Sequence, residues 1–354
     1  MYHLTDWGRS VSRMILDMEK NTLHLSEIPN SNLLVMGQSG SGKTYYCNRK
    51  IEEEIEKGKR VLIFDYSGSF TLNELQKTHF SYCDQINYIN PVEDEMVWYC
   101  PVDNYISVVT NALIKSLDIK SYYQRKLLKE GVERIGKRKK FTIPILMACL
   151  EEMIVEKEGS DEITNIGHLK TRLAPYDEVD GIIVDYTEKC VEGVAIEVIQ
   201  LSDYGELERK FITEFLSELY WQEVRQDKKS SDIIVFDEFQ FLSLKPGSTL
   251  SGMLREGRKF LLAVYMSSQF LGNYSQEEVD TLMQAGNMLF FKPVPKERKQ
   301  IAKYIDSQNY KNWEKILDNL KVGEAVLKGH FMINNNKTEV TCPVKCIIQE
   351  SNSR

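Results

Sequence analysis

The octapeptide GQSGSGKT, Gly37 to Thr44, constrains this chain more than any other stretch. It satisfies G-x-x-x-x-G-K-[ST] at every fixed position. It leaves an apolar run, NLLVMG (32–37), and opens a charged, helix-compatible run, YYCNRKIEEEIEKGK. In that setting Gly37, Gln38, Ser39, Gly40, Ser41, Gly42, Lys43 and Thr44 form a cradle for polyphosphate. Their backbone N–H groups curl inward, and the following helix N-terminus adds partial positive charge. Lys43 is placed to reach the β- and γ-phosphates, and Thr44 to put its hydroxyl on Mg²⁺. ATP and Mg²⁺ are therefore the predicted cofactors. A plain Gly/Ser turn accounts for the glycines but not for the lysine and threonine in register.

A second apolar run, RVLIFD (60–65), follows the helix and completes a strand-helix-strand unit, which means parallel strands joined by a crossover. VAIEVIQLS (194–202), DIIVFDEFQF (232–241), FLLAVYM (260–266), NMLFFKP (287–293) and EAVLKG (324–329) continue the alternation of strands with helices. The predicted fold class is α/β: an open, mostly parallel sheet covered by helices on both faces, with its ligand at the carboxyl ends of the strands. Between 102 and 190 the periodicity is mainly helical, as in YISVVTNALIKSL and ILMACLEEMIVEK. The predicted organisation is a lead-in over 1–31, a first part of the core over 32–101, a helical insertion over 102–190, a second part of the core over 191–330 and a tail over 331–354.

The run DIIVFDEFQF ends a buried strand in Asp237-Glu238. A carboxylate there is costly unless it is paired or near a metal, so Asp237 is assigned to the Mg²⁺ shell. Glu238 is assigned as the general base that polarises the attacking water. Asp65 repeats the geometry at the end of RVLIFD and is given a structural or supporting role. Gln269 follows the next strand at the same sheet edge, where its amide can donate to phosphate and accept from water. Arg255 and Arg258 precede that strand. Two readings stay open for them: surface charges on a helix, or groups that reach the nucleotide of a neighbouring subunit in a ring.

Taken in order, NLLVMGQSGSGKT, VLIFDYSGSF, IIVFDEFQFL and LREGRKFLLAVYMSSQ resemble the HerA/FtsK superfamily of hexameric P-loop ATPases. Within it the similarity is to HerA and to the conjugative type IV secretion (VirB/TraG-like) ATPases, over roughly residues 30 to 330. The resemblance implies a RecA-like P-loop NTPase core, ATP hydrolysis to ADP and phosphate at subunit interfaces, and translocation of DNA or protein through a central pore. Carried over by position, Lys43 and Thr44 are the phosphate-loop pair, Asp237 and Glu238 the Mg²⁺ and water pair, and Gln269 the γ-phosphate sensor. Arg258, in the GRK triplet, matches the inter-subunit arginine finger, with Arg255 and Arg298 as weaker matches. HerA proteins carry an N-terminal β-barrel and conjugative coupling ATPases carry N-terminal membrane helices, whereas about thirty residues without an apolar span precede the phosphate-loop strand here. The TQRP-like ending common in the family is SSQF. These departures leave the catalytic assignment intact and the partner and cargo open.

The formal charge of -7 gives no global reason to expect nucleic acid. Locally, Lys115 to Lys140 holds ten Lys or Arg against three acidic residues. That segment reads either as a phosphate-contacting patch or as a solvated face. The loop SLKPGSTLSG (243–252) is a second candidate contact. Two functions of different class follow. One is a DNA-translocating motor. The other is an ATP-dependent assembly platform that scaffolds or licenses a partner effector, such as a nuclease in bacterial antiviral defence. A monomeric small-molecule kinase lacks an identifiable acceptor site. The seven cysteines are scattered and odd in number, which reads as reduced thiols in the cytoplasm. Cys342 and Cys346 have no second ligand pair and do not predict a metal site. No signal peptide or membrane span is expected.

Overall fold

The run Leu33-Leu-Val-Met36 is apolar at every position, and all four residues are buried in a central strand. The computed structural model describes residues 15–16, 23–25, 31–93, 95–100, 102–136, 140–185, 194–272, 274–329, 331–333, 338–339 and 344–347. It divides into two compact units, one formed by Met1–Lys50 with Ala263–Arg354 and the other by Ile51–Leu262.

In the first unit, Leu33–Met36 lies between Ala263–Ser268 and Asn287–Phe291 and runs parallel to both. Every residue of these flanking strands is buried, which is why they read as continuous apolar runs rather than as alternation. Asn32 ties the three together at their start. Its side-chain oxygen accepts from the Val264 N–H at 2.9 Å, and its carbonyl accepts from the Asn287 N–H at 3.0 Å. Glu324–Gly329 and then Val344–Ile347 extend the sheet antiparallel, and Ile15–Leu16 pairs parallel with Val344–Ile347. The segments expected as lead-in and tail thus each supply a strand. Helices Pro295–Ile305 and Tyr310–Asp318 accompany them.

In the second unit, Val61–Asp65 lies between Ile233–Phe236 and Ile196–Gln200, with Ile86–Ile89 beyond, all parallel. The long helix Glu206–Arg225 buries Phe211 and Phe215, stacked 5.7 Å apart, with Tyr176 stacked 4.2 Å from Phe211. The mostly parallel sheet with helical cover expected from the sequence is borne out. Helices Tyr105–Ser116, Tyr122–Gly136, Ile143–Glu156 and Glu162–Leu173 occupy the region of the helical insertion. A small sheet of Met96–Tyr99, Ile182–Asp185 and Lys140–Phe141 joins them, and its first strand precedes residue 102.

One strand boundary differs from expectation. The run expected over 260–266 is a strand only over Ala263–Ser268. Gly257–Phe260 forms a 3₁₀ turn instead, and Leu261 is left-handed at φ 53° and 81 % exposed, so the extended chain begins after it.

Candidate active site

The phosphate loop is held by both flanking strands of its unit. The Gly37 N–H donates to the Ser268 carbonyl at 3.2 Å and the Gln38 N–H to the Lys292 carbonyl at 2.8 Å. A Cβ on Gly37 would stand 2.6 Å from Phe291 Cβ and 2.8 Å from Ser41 Oγ, so only glycine fits. Gly42 sits at φ 112°, a conformation that lets the loop curl into the helix Lys43–Glu56. No acidic residue occupies the first turn of that helix, which leaves the field at its N-terminus positive. Ser41 Oγ donates to the Gln38 carbonyl at 2.7 Å and Lys43 Nζ to the same oxygen at 3.2 Å, so the lysine folds back over the loop. Because Ser268 pairs with Met36, Gln269 stands beside Gly37 at the carboxyl edge. The eight loop residues and Gln269 are therefore together, and their donors suit a polyphosphate.

In the other unit, Asp65 and Asp237 end neighbouring parallel strands, and the Asp237 N–H donates to the Phe64 carbonyl at 3.3 Å. Asp65 is wholly buried. One of its oxygens accepts from the Phe70 N–H and from Gln200 Nε2, each at 3.0 Å, and the other has no hydrogen bond of good geometry among the described residues. Burial first, and then the charge of Asp237, push the Asp65 carboxyl up to about 7. These contacts fit the supporting role expected of it, since it pins the turn over 66–70. Ser67, from that turn, donates to Asp237 and approaches Ser69 Oγ at 2.6 Å. Sequence reasoning missed Ser67; the only signal was a hydroxyl two residues after Asp65.

Glu238 is left-handed at φ 55°, and its carboxylate accepts from Gln240 Nε2 at 2.6 Å. A glutamate in that conformation is held by its surroundings against its preference, as residues at functional sites often are. Arg255, at the end of helix Thr249–Glu256, and Arg258, in the following 3₁₀ turn, are exposed. Neither forms an ion pair among the described residues. Arg298 lies in the other unit and is bound to Asp318 at 2.7 Å, which makes it the least available of the three.

Many cations of the basic segment are already engaged. Lys115 meets the buried Glu218 at 2.7 Å, Lys126 meets Glu162 at 3.5 Å, and Arg134 meets Glu130 and Glu156 at 2.9 and 2.8 Å. Lys137, Arg138 and Lys139 lie outside the described residues, as does Cys342. Among the described residues no group of His, Cys, Asp and Glu has the arrangement of a metal centre. No helix there is long and apolar enough to cross a membrane.

Residues 12–220 match the family described as the central domain of the helicase HerA, and residues 204–344 match an AAA-like domain. No curated protein matches the chain. Among solved structures, VirB4 of Thermoanaerobacter pseudethanolicus is similar with a TM-score of 0.64 at 14 % identity, over 91 % of this chain and 90 % of that one. The bacterial conjugative coupling protein TrwBdeltaN70 gives 0.66 at 15 % identity, over 90 % and 84 %. The plasmid coupling protein TrwB in complex with the non-hydrolysable ATP analogue ADPNP gives 0.64 at 16 % identity, over 90 % and 85 %. At these identities the likeness is one of fold.

Proposed function

The chain belongs to the HerA central-domain family and is a P-loop ATPase that binds ATP; from that premise we propose that it works as a ring, hexameric as in its superfamily, that couples hydrolysis to movement of DNA in the cytoplasm. Residues 32–101 and 191–330 serve as the ATPase core, with 102–190 inserted. Lys43 and the loop N–H groups bind the phosphates; Thr44 and Asp237 would each offer an oxygen to Mg²⁺, which would offset charge on the phosphoryl oxygens. Glu238 takes the proton of the attacking water, and Gln269 orients that water against the γ-phosphate. Arg258 is supplied to the neighbouring subunit's nucleotide. The observation that carries the reading is the phosphate loop itself, bonded to the strands on both sides with Gln269 alongside. ATPase rate is to be measured with and without duplex DNA, alongside the mass of the assembly. A ring whose rate rises several-fold with DNA supports a DNA motor.

A second reading has its own observation. Because Lys115, Lys126 and Arg134 are engaged by carboxylates of the same unit, the basic segment offers DNA less charge than its composition promises. In that reading the ring is an ATP-dependent platform that licenses a partner effector, such as a nuclease in antiviral defence. A rate indifferent to DNA and raised by a co-purifying protein selects it.

A further inference from the structure

The turn over 66–70 leaves the carboxyl end of strand Val61–Asp65 in the second unit and is anchored on both sides of Ser67. Before Ser67, the Tyr66 ring is buried and stacked on Phe241 at 4.7 Å. The Tyr66 hydroxyl donates to the Glu206 carbonyl at 3.2 Å, and Arg209 Nη1 donates to the Tyr66 carbonyl at 2.9 Å. After Ser67, the Phe70 N–H donates to the Asp65 carboxylate at 3.0 Å, and the Phe70 side chain is buried. Gly68, at φ 79°, supplies the left-handed step between the two anchors. The start of helix Glu206–Arg225 and the segment that follows Glu238 therefore both fix where Ser67 stands.

Ser67 is exposed, and a serine on a surface turn is free to spend its hydroxyl on water. Here it donates instead to Asp237, 170 residues further along the chain. A serine hydroxyl carries one proton. With that proton on Asp237, Ser69 is the donor in its 2.6 Å contact with Ser67, so the chain of hydroxyls runs from Ser69 through Ser67 to the carboxylate. A hydrogen bond to an ionised acceptor is about twice as strong as one between neutral groups. Asp237 is 7 % exposed, so little water competes for its oxygens. Mg²⁺ takes hard oxygen donors, and a carboxylate this enclosed suits a compact cation, so Asp237 fits the ion.

We infer that Ser67 is a positioning residue for the metal: its hydroxyl fixes the orientation in which Asp237 presents its carboxylate to Mg²⁺. This role rests on the assignment of Asp237 to Mg²⁺ proposed above. Groups that hold a ligating side chain without touching the ion cost about 10- to 100-fold in metal affinity or activity when they are removed. Without Ser67 the Asp237 carboxylate regains rotational freedom, which each binding event must then take away.

The test titrates Mn²⁺, read from the electron paramagnetic resonance of the free ion, into full-length protein loaded with the non-hydrolysable analogue ADPNP. Ser67→Ala is expected to weaken Mn²⁺ binding about tenfold. Its melting temperature without metal, and its affinity for ADPNP in EDTA, should equal the parent's, since Ser67 is exposed and lies outside the phosphate loop. Ser67→Thr keeps the hydroxyl, has solvent for its extra methyl and should bind Mn²⁺ as the parent does. Asp237→Ala should weaken Mn²⁺ binding at least as much as Ser67→Ala. If Asp237→Ala binds Mn²⁺ as the parent does, the assignment of Asp237 to the metal fails and the role of Ser67 falls with it. If Asp237→Ala weakens binding and Ser67→Ala does not, the metal assignment stands and the role of Ser67 alone is overturned. An equal loss in Ser67→Thr, a lowered melting temperature in Ser67→Ala or a parallel fall in its metal-free ADPNP affinity also overturns it, because each traces the loss to the turn and not to the hydroxyl.

Discussion

In the mechanism we propose, Lys43 and Glu238 divide the work of hydrolysis between holding phosphate and activating water, and substitution separates the two. Lys43→Ala is expected to abolish ATP binding, whereas Glu238→Gln keeps binding and loses about 10²-fold or more in turnover. A fluorescent nucleotide titration and phosphate release measure the two effects; full turnover in Glu238→Gln protein removes Glu238 from the chemistry. Glu223 gives a residue-scale prediction away from the site. It is 3 % exposed and accepts from Trp98 Nε1 at 2.9 Å. Burial is the main cause that pushes its carboxyl up to about 8, from an ordinary 4.5. The folded chain therefore holds a proton that the unfolded chain releases, and this contribution to stability is lost as pH rises from about 4.5 through about 8. Glu223→Gln removes the dependence, so its stability relative to the parent should rise with pH across that window by up to a few kcal/mol. Denaturant melts at pH 5 and pH 8 check this, and a constant difference contradicts burial as the cause.

At the scale of elements, the phosphate loop was fully legible because strand, turn and helix are contiguous, so local chemistry decides them. Its packing supplies a test. Gly37→Ala forces a methyl against Phe291 and Ser41, and overpacking of this kind costs about 1–3 kcal/mol. A lower melting temperature together with weaker ATP binding is expected, and unchanged values of both would show that the loop has slack. The acidic strand was equally legible as an apolar run ending in two carboxylates. Ser67 was not, because it meets Asp237 across a sequence separation of 170 residues. The small sheet of Met96–Tyr99, Ile182–Asp185 and Lys140–Phe141 also escaped, since its strands are only two to four residues long and lie amid helical periodicity. The strand Ala263–Ser268 was found but shifted, because the apolar run continues backward through Leu261 and Phe260, where the backbone has already turned.

At the scale of the whole molecule, the ring we propose assigns the arginine of each site to the neighbouring chain. Arg258 is exposed on a 3₁₀ turn, in contrast to the ion-paired Arg298. It precedes in the chain the strand that Gln269 follows. A guanidinium suits the role because its fixed charge can stabilise negative charge on the transferring phosphoryl group without holding a labile proton. Arg258→Ala protein should bind ATP almost as the parent does and hydrolyse it poorly, by about 10³-fold or more where the finger dominates. Mixing it with Lys43→Ala protein should restore part of the activity. Some interfaces in mixed rings then join an intact phosphate loop from one chain to an intact arginine from the next. An arginine acting within its own chain cannot be rescued this way, since each mixed ring holds only chains that lack one group or the other. Single-turnover measurements on rings shown to be mixed avoid any demand for coordination around the whole ring. If activity there stays at the level of the separate variants, Arg258 does not act across the interface, and Arg255, equally exposed on the preceding helix, takes its place as the residue to substitute.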